Sequence, residues 1–290
     1  SDLFSSLTVR KTASADVEEG SLGSTVDLRA ARPFDFKGFT FSASGQMGYN
    51  DLSKESDPKA SFLVSDHFLN DKVGALFSLS YSERNLKDQG SSTVRWANVN
   101  DFGFYKGNAT ASELNTINNA FRPRLPRYDS YTHSMERLGA SAAFQFRPSD
   151  DTHIDLDLLH AKTEQTRNEV FLSAALNAGG NRPTTATAAS STTGRMNVLD
   201  YFIDDTNTMT YGAFQNATVR MENRYDELGT TFDQATLSAS HWFNDVFKVD
   251  ALVGMSKSKF DNPVQTTLAI EKSGVDFSYD YRGGYRDDPL

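Results

Sequence analysis

The sequence predicts an all-β protein, and more specifically part of a transmembrane antiparallel β-barrel with long loops at one end. Three observations lead to this prediction. Several segments alternate apolar and polar residues, the connections between them are short at one end and long at the other, and aromatic residues lie near both ends of the segments. Transmembrane barrels combine these three features.

The alternation is clearest in residues 39–49. The apolar residues there, each separated from the next by small or polar ones, are Phe39, Phe41, Ala43, Met47 and Tyr49. A period of two places one set of side chains on each face of a strand. Similar patterns predict seven strands, near residues 39–49, 60–69, 73–82, 135–146, 152–162, 233–243 and 246–258. Carboxylates at Asp155 and Asp157 fall on the polar face, which indicates that water reaches it.

The connections differ in length. Tight turns rich in Asn, Asp and Pro are predicted at 70–72, 148–151 and 244–245, whereas 84–134 and 164–230 are long and lack a sustained period. Such long loops call for a functional reason. The alternation alone also fits a soluble β-sandwich, but short turns at one end and long loops at the other favour about seven strands of a partial membrane barrel.

Two further segments have a strand-like pattern. Residues 214–227 are expected to form a hairpin or a strand extension in the third extracellular loop, 164–230, because counting them as a separate barrel strand would reverse every later strand. Residues 275–281 are expected in the fourth loop or in the next strand of the barrel.

The composition of the sequence argues against several classes of function. The net charge of −9 argues against a nucleic-acid partner, and the absence of cysteine excludes disulfides and thiolate metal sites. No nucleophile elbow, phosphate-binding glycine loop or zinc motif is present, so neither an enzyme nor a bound cofactor is predicted. The five histidines lack metal-ligand spacing, and the acidic pairs 204–205 and 287–288 are weak calcium signals.

The best candidate for ligand binding is the loop 85–133, where aromatic residues lie among arginines. Aromatic rings stack on sugars or planar ligands, and arginine binds carboxylates and phosphates in a bidentate manner. The alternative is that these residues pack the loop on itself or contact lipopolysaccharide. The candidate ligand-binding residues are Trp96, Phe102, Phe104, Tyr105, Arg122, Arg124, Arg127 and Tyr128.

Residues 7–35 carry a family resemblance. Here Val9-Arg10-Lys11 is followed by the Glu19-Gly20 step, a hairpin with Gly23, the strand Val26-Asp27-Leu28-Arg29 and then Arg32-Pro33-Phe34-Asp35. This resembles the end of the plug domain of TonB-dependent outer-membrane receptors, in the subgroup found in proteobacteria such as caulobacters and xanthomonads. Ser21 and Ser24 stand where relatives commonly have glycine.

The resemblance implies a division of the chain. Residues 1–35 would be the C-terminal part of the plug, and 36–290 the N-terminal part of a plugged barrel of about 22 strands in the bacterial outer membrane. The chain is therefore expected to be a fragment, with the box that binds TonB and the remaining strands elsewhere.

The resemblance also implies a function, namely TonB-dependent uptake of a scarce ligand. The partners would be the TonB complex, the ligand, and outer-membrane lipid and lipopolysaccharide, with an oligosaccharide favoured over a ferric siderophore. The alternatives are a passive porin and a surface-exposed adhesive β protein without transport. Residues expected to form charge pairs that seat the plug are Arg10, Asp16, Glu19 and Arg29.

Overall fold

The structure, a computed structural model, describes residues 4–12, 22–97, 104, 106–107, 109–176 and 196–284. These residues are nearly all β, which confirms the predicted class. The strands are β1 (Phe4–Arg10), β2 (Thr25–Ala30), β3 (Thr40–Asn50), β4 (Glu55–Phe68), β5 (Val73–Thr93), β6 (Trp96–Ala97), β7 (Arg122–Pro123), β8 (Pro126–Ser149), β9 (Thr152–Ala175), β10 (Asn197–Ile203), β11 (Met209–Trp242) and β12 (Lys248–Asp280).

A helix, α1 (Ala111–Asn119), lies in the region expected to be a loop. It begins where the Thr110 hydroxyl accepts a hydrogen bond from the backbone N–H of Glu113, at 3.1 Å. Threonine followed three residues later by glutamate is a helix-start pattern. The sequence therefore carries a local signal for this helix, where only a loop was predicted.

Eight strands form one sheet in the order β10-β11-β9-β8-β5-β4-β3, and β12 pairs with β11. In the register of β3 with β4, Phe41 lies opposite Val64. In the register of β4 with β5, Val64 lies opposite Phe77. Among the described residues β3 and β12 each have one neighbouring strand, so this sheet is open. Two smaller sheets pair β1 with β2 and β6 with β7.

The seven predicted strands are all present, but several are longer than expected. The prediction of long loops at 84–134 and 164–230 is wrong over much of each range, because β5, β8, β9 and β11 continue into them. Residues 214–227 are a strand extension, one of the two predicted possibilities, and belong to β11. Most of 275–281 belongs to β12 rather than to a loop or to a new strand.

The chain divides into two compact units. Unit 1 comprises Ser1–Asn85, His133–Thr166 and Glu227–Val264, and unit 2 comprises Leu86–Thr132, Arg167–Asp226 and Gln265–Leu290. The predicted domain boundary between residues 35 and 36 falls inside unit 1, so it stays a prediction. No described helix has the length and apolarity that would let it span a membrane.

The sheet of unit 1 has two different faces. Its apolar face carries Phe41, Met47, Phe77, Phe144 and Leu158, and all five remain exposed, Met47 by 69%. The opposite face, here called the polar wall, carries Ser65, Ser78, Ser141, Gln145, Asp155 and Asp157. Ser65, Ser78, Ser141 and Gln145 of this wall are buried. In unit 1 the polar face is thus more covered than the apolar one.

The hydrophobic core lies in unit 2. Phe214 and Tyr279 are fully buried there, and their rings stack at 5.9 Å between centroids. The Tyr279 hydroxyl donates to the carbonyl oxygen of Met209 at 2.9 Å. This packing explains why β11 and β12 extend through unit 2, since their inward-facing residues are buried among apolar side chains.

Candidate functional site

The best-defined polar site of unit 1 is where residues 31–36, here called the junction segment, lie against the polar wall. Arg32 is extended, as the residue before a proline usually is, and Pro33–Asp35 form one turn of 3-10 helix. The backbone N–H groups of Asp35 and Phe36 close this turn on the carbonyl oxygens of Arg32 and Pro33. The turn directs Arg32 and Phe34 onto the wall.

Arg32 makes the main electrostatic contact. Its guanidinium donates to Asp155 at 3.0 Å and to both carboxylate oxygens of Asp157, at 3.2 and 2.5 Å. The Arg32 side chain is 24% exposed, and those of Asp155 and Asp157 are 18% and 25% exposed. Burial alone would lower the pKa of Arg32, but the hydrogen bond and charge of Asp157, with the charge of Asp155, raise it overall. The guanidinium is therefore a fixed cation between two wall carboxylates.

The neighbouring residues add directional contacts. The backbone N–H of Phe34 donates to the Gln145 side-chain oxygen at 2.8 Å, and Gln145 in turn donates to Asp155 at 2.8 Å. The guanidinium of Arg147 lies 4.0 Å from the centre of the Phe34 ring. Charge, hydrogen bonds and a cation–π contact thus hold the segment in one position.

Pro33 completes the contact. His67 donates from Nε2 to the carbonyl oxygen of Pro33 at 2.9 Å, because that oxygen can only accept. At Gly74 a Cβ atom would lie 2.5 Å from the Pro33 Cβ. Glycine at this wall position is therefore required by the close approach of the junction segment.

Space remains beside the segment. A cavity of about 240 Å³ is lined by residues 28–32, by Ser141 and Asp157 of the wall, and by Gln234 and Thr236 of β11. Since water occupies about 30 Å³ per molecule in the liquid, this cavity is large enough for several waters. The end of β2 therefore lies over the wall without close packing along its whole length.

The predicted plug-seating residues are placed differently from Arg32. Arg10 pairs with Asp27 across the β1–β2 hairpin at 2.9 Å, and Arg29 pairs with Asp35 at 2.9 Å. Both pairs are substantially exposed and join residues within 4–36. Asp16 and Glu19 lie outside the described residues. Arg32 is not among the predicted plug-seating residues, although its partners Asp155 and Asp157 are predicted to lie on the polar face.

The predicted ligand-binding residues that can be described lie in unit 2. Phe104 and Arg122 are buried, and the Arg122 guanidinium lies 4.4 Å from the centre of the Phe104 ring. Arg122 also donates to the carbonyl oxygens of Asn118 and Ala120. Trp96 is half-buried, with its ring 5.8 Å from that of Tyr281. These three residues are part of the internal packing of unit 2.

Arg127 is more exposed to solvent than Arg122. It donates to the Ser92 hydroxyl at 2.9 Å, pairs with Asp129 at 3.0 Å and lies 4.0 Å from the centre of the Phe171 ring. Arg124 and Tyr128 are half-buried, and Phe102 and Tyr105 lie outside the described residues. A role in ligand binding stays a prediction for the whole group.

Unit 2 also contains charged pairs that the sequence did not reveal, and one of their guanidiniums, that of Arg224, lies 5.5 Å from the centre of the Phe171 ring. Arg167 donates to Asp226 at 2.9 and 2.5 Å, and the hydrogen bond with Asp226 raises the pKa of Arg167. Glu222 pairs with Arg220 at 3.2 Å and with Arg224 at 2.5 Å. The carboxylates are nearly buried and the guanidiniums are 37–49% exposed. These pairs therefore present oriented N–H donors to solvent.

The described residues contain no group of three or more His, Cys, Asp and Glu side chains arranged to hold a metal ion. The polar wall holds the junction segment, and unit 2 presents arginines and aromatic rings. Neither the comparison with protein-family models nor the search of curated proteins found a match to this chain.

Proposed function

We propose that this chain is part of a TonB-dependent outer-membrane transporter. Residues 1–35 would then be the end of the plug, and 36–290 the first strands of a larger plugged barrel. The observation that carries the proposal is the pair of faces in unit 1. The sheet leaves its apolar face exposed and uses its polar face to bind the junction segment.

The apolar face is difficult to reconcile with water. A soluble β-sandwich turns its apolar face inward against a second sheet, whereas here Phe41, Phe77 and Phe144 are exposed on one side. Contiguous apolar patches of this kind mark membrane or protein interfaces. In a membrane barrel the same residues would face lipid, and the polar wall would line the interior.

The junction segment fits a plug that continues into a barrel. Arg32 contacts Asp155 and Asp157 on β9, which lies far along the chain, so the end of the β1–β2 hairpin is attached to the wall itself. A porin has no segment that would need this attachment. The contacts therefore favour a plugged transporter over a passive pore.

In the proposed mechanism a cargo molecule binds at the extracellular side, and TonB pulls on the plug from the periplasm. The Arg32 contacts keep the plug attached to the wall at residues 31–36, so the pull rearranges the segments that precede them. The resemblance favours an oligosaccharide as cargo and a ferric siderophore next. The exposed arginines of unit 2 are compatible with both classes, because guanidinium groups bind hydroxyls and carboxylates.

The experiment that tests the proposal is uptake by cells that produce the full-length protein. Labelled maltodextrins and a panel of ferric siderophores would be supplied to cells with and without the protein, each with and without TonB. Uptake of one cargo class that requires both the protein and TonB is the expected result. Uptake that persists without TonB would indicate a porin, and no uptake in any arm would favour an adhesive surface protein.

A further inference from the structure

A groove crosses the apolar face of unit 1. It is lined by Ala140 and Ala142 of β8, Leu158 of β9 and Ala235 of β11, with Phe77 on β5 and Met255 on β12 at its two sides. The volume is about 430 Å³, which lies within the usual range of small-molecule sites, about 300–1,000 Å³. The groove is almost wholly apolar along its length, so it would accept a hydrocarbon chain.

Polar residues stand at one end of this groove. His160 and Asp233 pair there at 2.7 Å, and Lys257 lies beside them. The next lysine along the strand, Lys259, pairs with Asp261 at 2.8 Å, and Lys162 on β9 pairs with Glu164 at 2.8 Å. Within the described part of the chain, Lys257 has no carboxylate within ion-pair distance. It is therefore an exposed cation at the end of an apolar channel.

We propose that this groove binds one acyl chain of a phosphate-bearing lipid, with the phosphate at Lys257. The occupant follows from complementarity: a hydrocarbon chain matches the apolar lining, and an anionic headgroup matches Lys257, which forms no ion pair among the described residues because the neighbouring Asp233 is paired with His160. The proposal rests on the proposed function, because it requires this face to meet the membrane. It adds that lipid binds at a defined place rather than uniformly over the face.

The test is native mass spectrometry of the full-length protein, purified in mild detergent and supplied with dioleoyl phosphatidylglycerol or with dioleoyl phosphatidylcholine. Ala142→Trp fills the groove and Lys257→Glu reverses the charge at its end. Two matched controls place the same changes elsewhere: Ala43→Trp on the exposed apolar face of β3 and Lys272→Glu on the exposed part of β12. Inorganic phosphate serves as a probe for the lysine alone.

We expect the unchanged protein to retain one phosphatidylglycerol in preference to phosphatidylcholine. Ala142→Trp should reduce retention of both lipids about tenfold, because the chain loses its contact surface. Lys257→Glu should reduce retention of phosphatidylglycerol alone by about fivefold. The controls should match the unchanged protein, and inorganic phosphate should not be retained.

Equal retention by Ala142→Trp and Ala43→Trp would overturn the groove as the binding site. Equal retention of both lipids before and after Lys257→Glu would overturn the headgroup assignment. Failure of the proposed function has a different signature: the protein would not fractionate with the outer membrane and would stay dispersed without detergent. Membrane localisation with non-specific lipid retention would therefore reject only this inference.

Discussion

At the scale of single residues, the position of the junction segment depends on two features of the wall: a pair of carboxylates and an absent side chain. Asp155 and Asp157 fix Arg32, and Gly74 leaves room for Pro33. The sequence showed that the wall is polar, because alternation reports which face a residue occupies. It did not show that Arg32 is the partner, because a contact across more than 120 positions has no local signal.

Gly74→Ala should displace the junction segment. The new methyl group would meet the Pro33 Cβ at 2.5 Å, and overpacking of this kind costs about 1–3 kcal/mol. Gly45→Ala is the matched control, since no atom lies within 4 Å of its Cβ position. Hydrogen exchange of the amides of residues 34–36 would measure the displacement. Equal protection in the two variants would contradict the close approach.

Arg32→Ala should loosen the same segment by removing charged hydrogen bonds and leaving two carboxylates without their cation. A loss of about 1–3 kcal/mol in the free energy of unfolding is expected, because hydrogen bonds to charged groups contribute that much when partly buried. Arg29→Ala removes an exposed pair, and its effect should stay below about 1 kcal/mol. Denaturant titration of both variants in detergent measures the difference in the free energy of unfolding. Similar losses would show that the contact of Arg32 with the wall stabilises the protein no more than an exposed ion pair does.

At the scale of elements, strand existence was predictable and strand length was not. The seven predicted strands rest on clean alternation, but β9 continues past residue 162 where both faces carry charged residues. Its polar side chains pair across to the next strand, as Arg167 does with Asp226 on β11, so this part of β9 persists without an apolar period. Helix α1, by contrast, was locally encoded by Thr110 and Glu113.

The stability of the turn between β10 and β11 should depend on pH. Asp204 accepts hydrogen bonds from the Thr206 hydroxyl and from the backbone N–H groups of Thr208 and Thr206, which together lower its pKa below the ordinary 3.8. Because the folded-state pKa is the lower one, the stabilisation is complete above pH 3.8 and is lost as the pH falls through the lowered value.

Hydrogen exchange at Thr206 and Thr208 between pH 6 and pH 2 would follow this opening once intrinsic exchange rates are divided out. Asp204→Asn is the control, since its amide oxygen still accepts hydrogen bonds but does not titrate. The variant should show no acid-dependent loss of protection. The same acid-dependent loss in both proteins would assign the opening to another group.

Lipid contact at the apolar face leads to a separate prediction for a charged residue on β8. Phe144→Arg should lower the amount of protein folded in the outer membrane, because an arginine near the middle of the lipid-facing surface costs about 2–4 kcal/mol. Gln46→Arg adds the same charge to the polar face of β3, where the side chain is exposed, and should be tolerated. The fraction of each variant in outer-membrane preparations is the readout, and equal yields would argue against lipid contact.

At the scale of the whole molecule, the exposed apolar face and the occupied polar wall of unit 1 are the basis of the proposed function. The direction of each face follows from alternation in the sequence, and the structure adds that the junction segment binds the polar one. The arrangement of unit 2 was not predictable in the same way. Its buried Arg122 and its core of Phe214 and Tyr279 depend on contacts between distant segments.

The most direct test of the account is the accessibility of single cysteines in intact outer membranes. The sequence has no cysteine of its own, so Phe41→Cys and Leu158→Cys can report the apolar face, and Ser42→Cys and Gln46→Cys the polar face. A charged maleimide should label the two polar-face cysteines in the membrane and the two apolar-face cysteines only after solubilisation in detergent. Full labelling of Phe41→Cys and Leu158→Cys in the membrane would contradict a lipid-facing sheet, and the transporter assignment with it.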